Sequence, residues 1–379
     1  LVLTSAGFGS SEIPTRTADN IRTVISLEMG DKFKYAEVLR TTRVEIMPES
    51  DVKGRGLAYV NGAILEFQTA MCLEAEDSYQ MSERIGQECR KMKAAWNGRC
   101  AAGIPCIPEN PVFSEFAATP EYAAANKDRR NIPVGYVYED ASVYSIDLWN
   151  TYCYFIQGRE RTGRRNVMKM MIYSVTRKEN TKAVIIETDS SDMKGIAEQT
   201  DSLYITTHNG IFEFFKDTIP VFKSRNQKKR ELVSQGVDNT EIARIMSGEE
   251  QIFIFIPDTV SFMKAVYNMP EGVGEVYAYL ENITAKGSLH GFFFFGIISP
   301  DQITGVSGCK MYTNMASYKN GMHLGGNLSA QRFFQFNNIS YSEQSRVLKP
   351  GSAYVPDAQD GTAADMIILP LVKGGTGTK

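Results

Sequence analysis

The chain has 379 residues, room for about two and a half domains of ordinary size. Its 43% hydrophobic and 22% charged residues exclude a long disordered chain, a collagen-like repeat and a coiled coil. Forty-one Lys and Arg against 44 Asp and Glu leave a net charge of -3, so no global positive field draws a nucleic-acid backbone and no nucleic-acid partner is expected.

No apolar run reaches about 18 residues, and the start LVLTSAGFGS lacks the basic and apolar regions of a signal peptide. Any membrane attachment is therefore expected outside this chain. The six cysteines form no C-x-x-C pair and the three histidines stand at no i, i+4 spacing, so neither a metal site nor a disulfide framework is expected, and the thiols read as reduced and cytosolic.

Leu1 to Thr4 reads as an apolar strand with nothing before it to pair with, as if an upstream part were missing. Gly56-Leu57-Ala58-Tyr59-Val60 followed by Ile64-Leu65-Glu66-Phe67 reads as a hairpin. The pattern returns as Gly351-Ser352-Ala353-Tyr354-Val355 followed by Met366-Ile367-Ile368-Leu369. The order of elements before each hairpin also agrees, which points to a duplicated module. On that reading 1–72 is the C-terminal part of one module, 73–130 a linker, and 131–379 a complete second module.

Within the linker, Ala75 to Trp96 spaces its apolar residues as a surface helix does. The prolines of Ile104-Pro105-Cys106-Ile107-Pro108-Glu109-Asn110-Pro111 favour an extended connector, and Ala117 to Asn131 reads as a loop with a short helix. Strands are then expected at Tyr152 to Ile156, Lys182 to Ile186, Leu203 to Thr207, Ile252 to Ile256 and Phe292 to Ile298. Helices are expected at Arg164 to Lys178, Ile211 to Ser234, from an Asp238 or Asn239 cap to Met246, and Val273 to Ala285. Strands without polar alternation, separated by helices, predict an α/β fold with a mostly parallel sheet covered on both faces. Any functional edge then lies beyond the carboxyl ends of the strands.

The first of these strands runs into Gly158-Arg159-Glu160-Arg161-Thr162-Gly163-Arg164-Arg165-Asn166 at the start of a helix. The skeleton is G-x-x-x-x-G, where a phosphate-binding P-loop continues with Lys and then Ser or Thr. Here Arg164 stands for the Lys, and Arg165 supplies no oxygen for Mg²⁺. Gly158, Arg161, Thr162, Gly163, Arg164, Arg165 and Asn166 are the candidate phosphate contacts. An equally weighted alternative is a solvated basic loop or a salt-bridge patch. Asp258 follows the strand Ile252 to Ile256 where a Walker-B carboxylate sits, but Thr259 replaces the acidic residue that often follows. Glu187 and Asp189 are geometric substitutes whose favoured reading is a solvated strand end. No catalytic residue is assigned, and Phe292 to Phe295 is core, with no interleaved basic residues for base stacking.

Four stretches together resemble the FtsK/SpoIIIE-type ATPases of type VII secretion, the EssC/EccC family. They are Ser11 to Arg16 with Asp19 to Arg22; Gly54 to Leu57 with Glu66 to Gln68; Ile132 to Gly135 through Tyr144 to Leu148; and the altered loop. The resemblance implies tandem RecA-like P-loop modules, ATP and Mg²⁺ as cofactors of the full-length protein, and a place on the cytoplasmic face of the bacterial membrane. It implies as partners small helical-hairpin secretion substrates with a Trp-x-Gly turn, upstream ATPase modules of the same chain, other membrane components of the machine, and a possible hexamer. Arg16 matches the family's arginine that reaches a neighbouring nucleotide, and Arg22 is a weaker candidate. The departures at Arg164 and Arg165 leave as the leading expectation a regulatory and substrate-docking module with weak or no ATP hydrolysis. The alternatives are an active ATP-hydrolysing module and a DNA translocase.

Overall fold

A computed structural model describes residues 2–7, 13–21, 23–98, 103, 105–149, 151–268, 274–286, 288–328, 331, 333–334, 336, 339–356 and 364–373. The chain divides into two compact units, Leu1–Ala102 and Gly103–Lys379.

In the first unit, α1 (Thr15–Ala18), β1 (Ile25–Leu27), α2 (Lys32–Val38), β2 (Arg55–Val60), β3 (Ala63–Gln68) and α3 (Ser78–Ala95) follow in order. The expected hairpin is β2 and β3, antiparallel, with Ala58 opposite Leu65. It closes through Asn61-Gly62, both at positive φ, as a two-residue turn of mirror-image type requires. β1 adds antiparallel to β2, and Tyr35, Leu39, Val44 and Leu57 form the small core. The strand expected at Leu1 to Thr4 is not there: Val2, Leu3 and Thr4 are exposed and in no strand, because without a paired neighbour an apolar run has no ladder to join. α3 starts where the Asp77 carboxylate accepts the Gln80 amide at 2.7 Å and buries none of its residues, the surface helix its spacing predicts.

The second unit contains α4 (Phe113–Phe116), α5 (Pro120–Lys127), β4 (Asn131–Val137), β5 (Val143–Asp147), β6 (Cys153–Gly158), α6 (Arg164–Thr176), β7 (Thr181–Ile186), α7 (Lys194–Thr200), β8 (Leu203–Ile205), α8 (His208–Ser234) and α9 (Asn239–Met246). It continues with β9 (Gln251–Ile256), α10 (Thr259–Tyr267), α11 (Gly274–Lys286), β10 (Phe292–Ile298), α12 (Lys310–Ser317), β11 (Gly321–Gly326), α13 (Tyr341–Ser345), β12 (Leu348–Pro356) and β13 (Ala364–Ile368). The segments before β4 join this unit: Tyr122 of α5 shares a hydrogen bond of 2.8 Å with Ser174 of α6.

Ten strands form one sheet in the order β5-β4-β13-β12-β11-β6-β10-β9-β7-β8. From β11 to β8 every neighbouring pair is parallel, and from β5 to β11 every pair is antiparallel. β6, β9 and β10 are buried at every residue, which their unbroken apolar runs require of strands covered on both faces. Across β9 and β10, Phe253 stacks on Phe293 with ring centres 4.9 Å apart. The fold is therefore the α/β class expected, with an antiparallel extension beyond it. β8 ends at Ile205 rather than Thr207, because the Thr207 hydroxyl accepts the Gly210 amide at 3.1 Å and caps α8.

The second hairpin is β12 with β13, antiparallel, Ala353 opposite Ile367. It is preceded by β11, antiparallel to β12, with α13 between them. The piece β1-α2-β2-β3 thus repeats β11-α13-β12-β13 in order and pairing.

Candidate functional site

The altered loop joins the carboxyl end of β6 to the amino end of α6 in one tight bend. Arg161 at φ 63° and Gly163 at φ 103° turn the chain, and Gly163 is the residue before the helix. A Cβ on Gly158 would lie 2.7 Å from the Leu324 carbonyl oxygen of β11 and 2.8 Å from Thr162 Oγ1, so only glycine fits between loop and sheet. The Thr162 hydroxyl donates to the Arg159 carbonyl at 2.7 Å, drawing the loop over itself.

Arg164 opens α6 and turns inward: its Nη1 donates to Ser299 Oγ at 2.7 Å, and that hydroxyl donates to the Gly158 carbonyl at 3.2 Å. A guanidinium thus ties both ends of the loop to the carboxyl end of β10. Burial pulls Arg164 below the ordinary arginine range; Glu160, Asp301 and Asp258 oppose that, while Arg165 adds repulsion. Arg165 turns elsewhere, into an ion pair with Asp192 in the segment after β7.

Asp258 follows β9 by two residues and caps α10, its Oδ1 accepting the Ser261 amide at 3.0 Å. It borders, with Glu160, Arg161, Arg164, Arg165 and Gln302, a cavity of about 460 Å³. The structure therefore brings together Gly163, Arg161, Arg164, Arg165 and Asp258 around one space. Asn166 faces the C-terminal segment instead: its Nδ2 donates to the Pro370 carbonyl and its Oδ1 accepts the Val372 amide, each at 2.8 Å. Arg16 is exposed in the first unit, and Arg22 lies outside the described residues.

Glu187 is not the solvated strand end expected of it. It is buried, and its carboxylate accepts from Ser190 Oγ, from the Met193 amide at 3.0 Å and from the Tyr204 hydroxyl at 2.8 Å. Burial and then this carboxylate push Tyr204 well up. Glu187 thus organises the turn that delivers Asp192 to Arg165, while Asp189 is exposed.

A second cleft, of about 350 Å³, lies at the opposite end of the same strands, where β9 and β10 begin. Trp149, Ala243 and Met246 of α9, and Phe293 give it apolar walls. Arg130 lies 5.7 Å over the Trp149 ring. Gln251, 4% exposed, borders it with an Oε1 that has no hydrogen-bond partner among the described residues. Neither this cleft nor Ser299 and Asp192 was legible as a site; the one signal was Ser299 standing directly after the buried run of β10.

No protein-family model matches the chain. The type VII secretion system protein EssC of Staphylococcus aureus (strain MRSA252) is 22% identical over 199 residues, which are 52% of this chain and 13% of that protein. The chain is a relative of the EssC/EccC proteins of type VII secretion. In fold it is similar to EssC (ATPases 2 and 3) from Geobacillus thermodenitrificans, with TM-score 0.70 and 18% identity, covering 96% of this chain and 63% of that one. It is similar also to Thermomonospora curvata EccC (ATPases 2 and 3) in complex with a signal sequence peptide, with TM-score 0.52 and 15% identity over 97% of this chain and 61% of that one. The α/β unit around the altered loop thus has the architecture of these ATPase modules. Among the described residues no helix is long and apolar enough to cross a membrane, and no cluster of His, Cys, Asp and Glu suits a metal ion.

Proposed function

We propose that the chain is a C-terminal part of a type VII secretion motor whose last module regulates the machine and docks its cargo, with little or no ATP hydrolysis of its own. On this reading 1–72 closes a preceding RecA-like module, 73–130 is the linker, and 131–379 is the last module, whose loop holds the phosphates of a nucleotide without turning it over. Arg164 carries the reading. Hydrolysis in this architecture needs a mobile Lys bridging the β- and γ-phosphates and a hydroxyl for Mg²⁺; here the residue in the Lys place is held on Ser299 and the next is paired with Asp192.

Cargo docking draws support from the signal sequence peptide held by the similar EccC. An apolar cleft with a few fixed polar groups suits a peptide side chain, and the cleft beside α9 has that character. The cargo is of the small helical-hairpin kind with a Trp-x-Gly turn, Arg16 reaches toward a neighbouring module's nucleotide, and upstream modules, other membrane components and a hexameric assembly complete the machine at the cytoplasmic face.

The test is turnover of Mg-ATP by the chain beside its Asp258→Ala variant. Equal background rates are expected, and turnover lost in the variant would overturn the non-hydrolysing role. Docking is read by fluorescence polarisation of a labelled hairpin protein: binding weakened by Trp149→Ala is expected, and unchanged binding moves the dock away from this cleft.

A further inference from the structure

Mg²⁺ is the partner that a P-loop architecture leads one to expect, and the residues here do not fit it. The ion asks for near-octahedral oxygen donors, of which the protein usually supplies a hydroxyl at the second helical residue and a carboxylate at a strand end. At the second helical residue stands Arg165, a guanidinium with donors only. The hydroxyl nearest to it in the loop, on Thr162, gives its proton to the Arg159 carbonyl and packs against Gly158. Asp258 has one carboxylate oxygen on the Ser261 amide. Around the cavity stand three arginines, Arg161, Arg164 and Arg165, and two carboxylates, Glu160 and Asp258; with Asp192 paired to Arg165 the charges about balance, so no excess of carboxylate draws a dication.

The same lining suits an anion. Guanidinium forks match phosphate oxygens two at a time and carry charge that no pH in the working range removes. Arg164 is held in place by Ser299, so it loses little freedom on meeting a ligand. The glycine at 158 lets the loop close on Leu324 and Thr162 with no side chain between them.

We infer that the loop takes nucleoside polyphosphates free of metal, its arginines standing where the metal charge would be, and that Mg²⁺ opposes binding. The inference rests on the reading of the loop as a phosphate cradle. A metal-chelated triphosphate arrives with oxygens already occupied and less charge to offer, so chelation removes contacts to the arginines.

The experiment is calorimetric titration of the full chain with ATP, in EDTA and in saturating Mg²⁺ at matched ionic strength, since exposed charges are screened by salt. ATP is expected to bind about tenfold more tightly in EDTA, the size of one charge-assisted hydrogen bond. Arg164→Ala is expected to abolish binding, and the double variant Arg164→Lys with Arg165→Ser to reverse the sign of the Mg²⁺ effect. Tighter binding with Mg²⁺ in the parent, or no Mg²⁺ effect, overturns the inference and leaves the cradle standing. No binding in either buffer overturns the cradle as well. Binding that survives Arg164→Ala puts the anion elsewhere and overturns both. The parent comparison needs no variant to fold, and thermal melts of the variants separate lost binding from lost structure.

Discussion

Acidification is expected to cost the second unit about 3 kcal/mol of stability through one side chain, His323. It lies in β11, one residue before Leu324, which pairs with Gly158 of the loop. It is 4% exposed, with Nδ1 3.2 Å from Gln157 Oε1 of β6 and Tyr354 opposite it on β12. Burial pulls its pKa from 6.5 down to about 4, with backbone bonds at Asn327 and Gly325 pulling the other way. The folded state therefore holds the ring neutral where the unfolded chain takes up a proton. Stability from this source is full above pH 6.5, declines as the unfolded ring protonates, and is spent once the pH has fallen through about 4. That fall in pKa corresponds to about 3 kcal/mol. Urea unfolding at a series of pH values from 7 to 4, on the parent and on His323→Gln, isolates the contribution, because the amide does not titrate. The parent should lose more stability than the variant across that window. Parallel curves would show that the buried ring does not set the acid limit of this sheet.

Three further outcomes follow from packing and hydrogen bonding. Gly158→Ala forces its new carbon against the Leu324 carbonyl; the overpacking costs about 1–3 kcal/mol, seen as a thermal midpoint lowered by about 2–4 °C for each kcal/mol, and an unmoved midpoint would mean that the loop is not so tightly seated. Glu187→Ala strands the Met193 amide and the Tyr204 hydroxyl, a loss of about 2–4 kcal/mol in urea unfolding, whereas Glu187→Gln keeps an acceptor and should lose less; equal losses would deny the carboxylate its organising role. Asn166→Ala removes two of the bonds that hold Pro370 to Val372, leaving those of Leu371 with Pro111 and Phe113, so limited proteolysis should cut the C-terminal segment faster, and an unchanged rate would place its main anchor at Leu371.

The parallel half of the sheet was legible because burial on both faces leaves no polar residue in the run: Ile252 to Ile256 and Phe292 to Ile298 are such runs, and they are β9 and β10. In the antiparallel half the hairpin of β12 and β13 was legible from Gly351 to Val355 and Met366 to Leu369, but β11, β4 and β5 were not. β11 carries three glycines in six residues, which erases any periodicity. β4 sets Pro133 and Gly135 among its buried residues and β5 is half-buried for most of its length, and a bulge between Pro133 and Gly135 shifts their register. α10 was hidden behind Asp258, whose place after a strand suggests a metal carboxylate as readily as the helix cap it is. In the site, the loop was legible from its two glycines between strand and helix. Its locks were not: Ser299 stands 135 positions after Arg164, and no local pattern joins residues that only the fold brings together. For Glu187 the misleading signal was position, since a carboxylate after a strand is usually wet. Its burial depends on a tyrosine that β8 places beside β7.

The recurring four-element piece clarifies what a strand's second neighbour does for it. In the second unit β11 lies between β12 and β6, and its Met322 and Leu324 are buried. In the first unit β1 pairs with β2 alone among the described residues, and Ile25 and Leu27 stand 64% and 54% exposed. Strand and hairpin form in both, with the same antiparallel sense. What differs is burial, and fully burying a side chain of that size is worth about 1.5–3 kcal/mol. Among the described residues the outer edge of β1 pairs with no strand, the feature that makes an edge strand a template for a further strand. A covered β11 and a bare β1 in otherwise matching pieces differ in what lies beside each strand. A hydrogen-exchange comparison follows directly: amides of β11 should exchange far more slowly than those of β1, and equal protection in the isolated chain would mean that β1 finds a partner strand elsewhere.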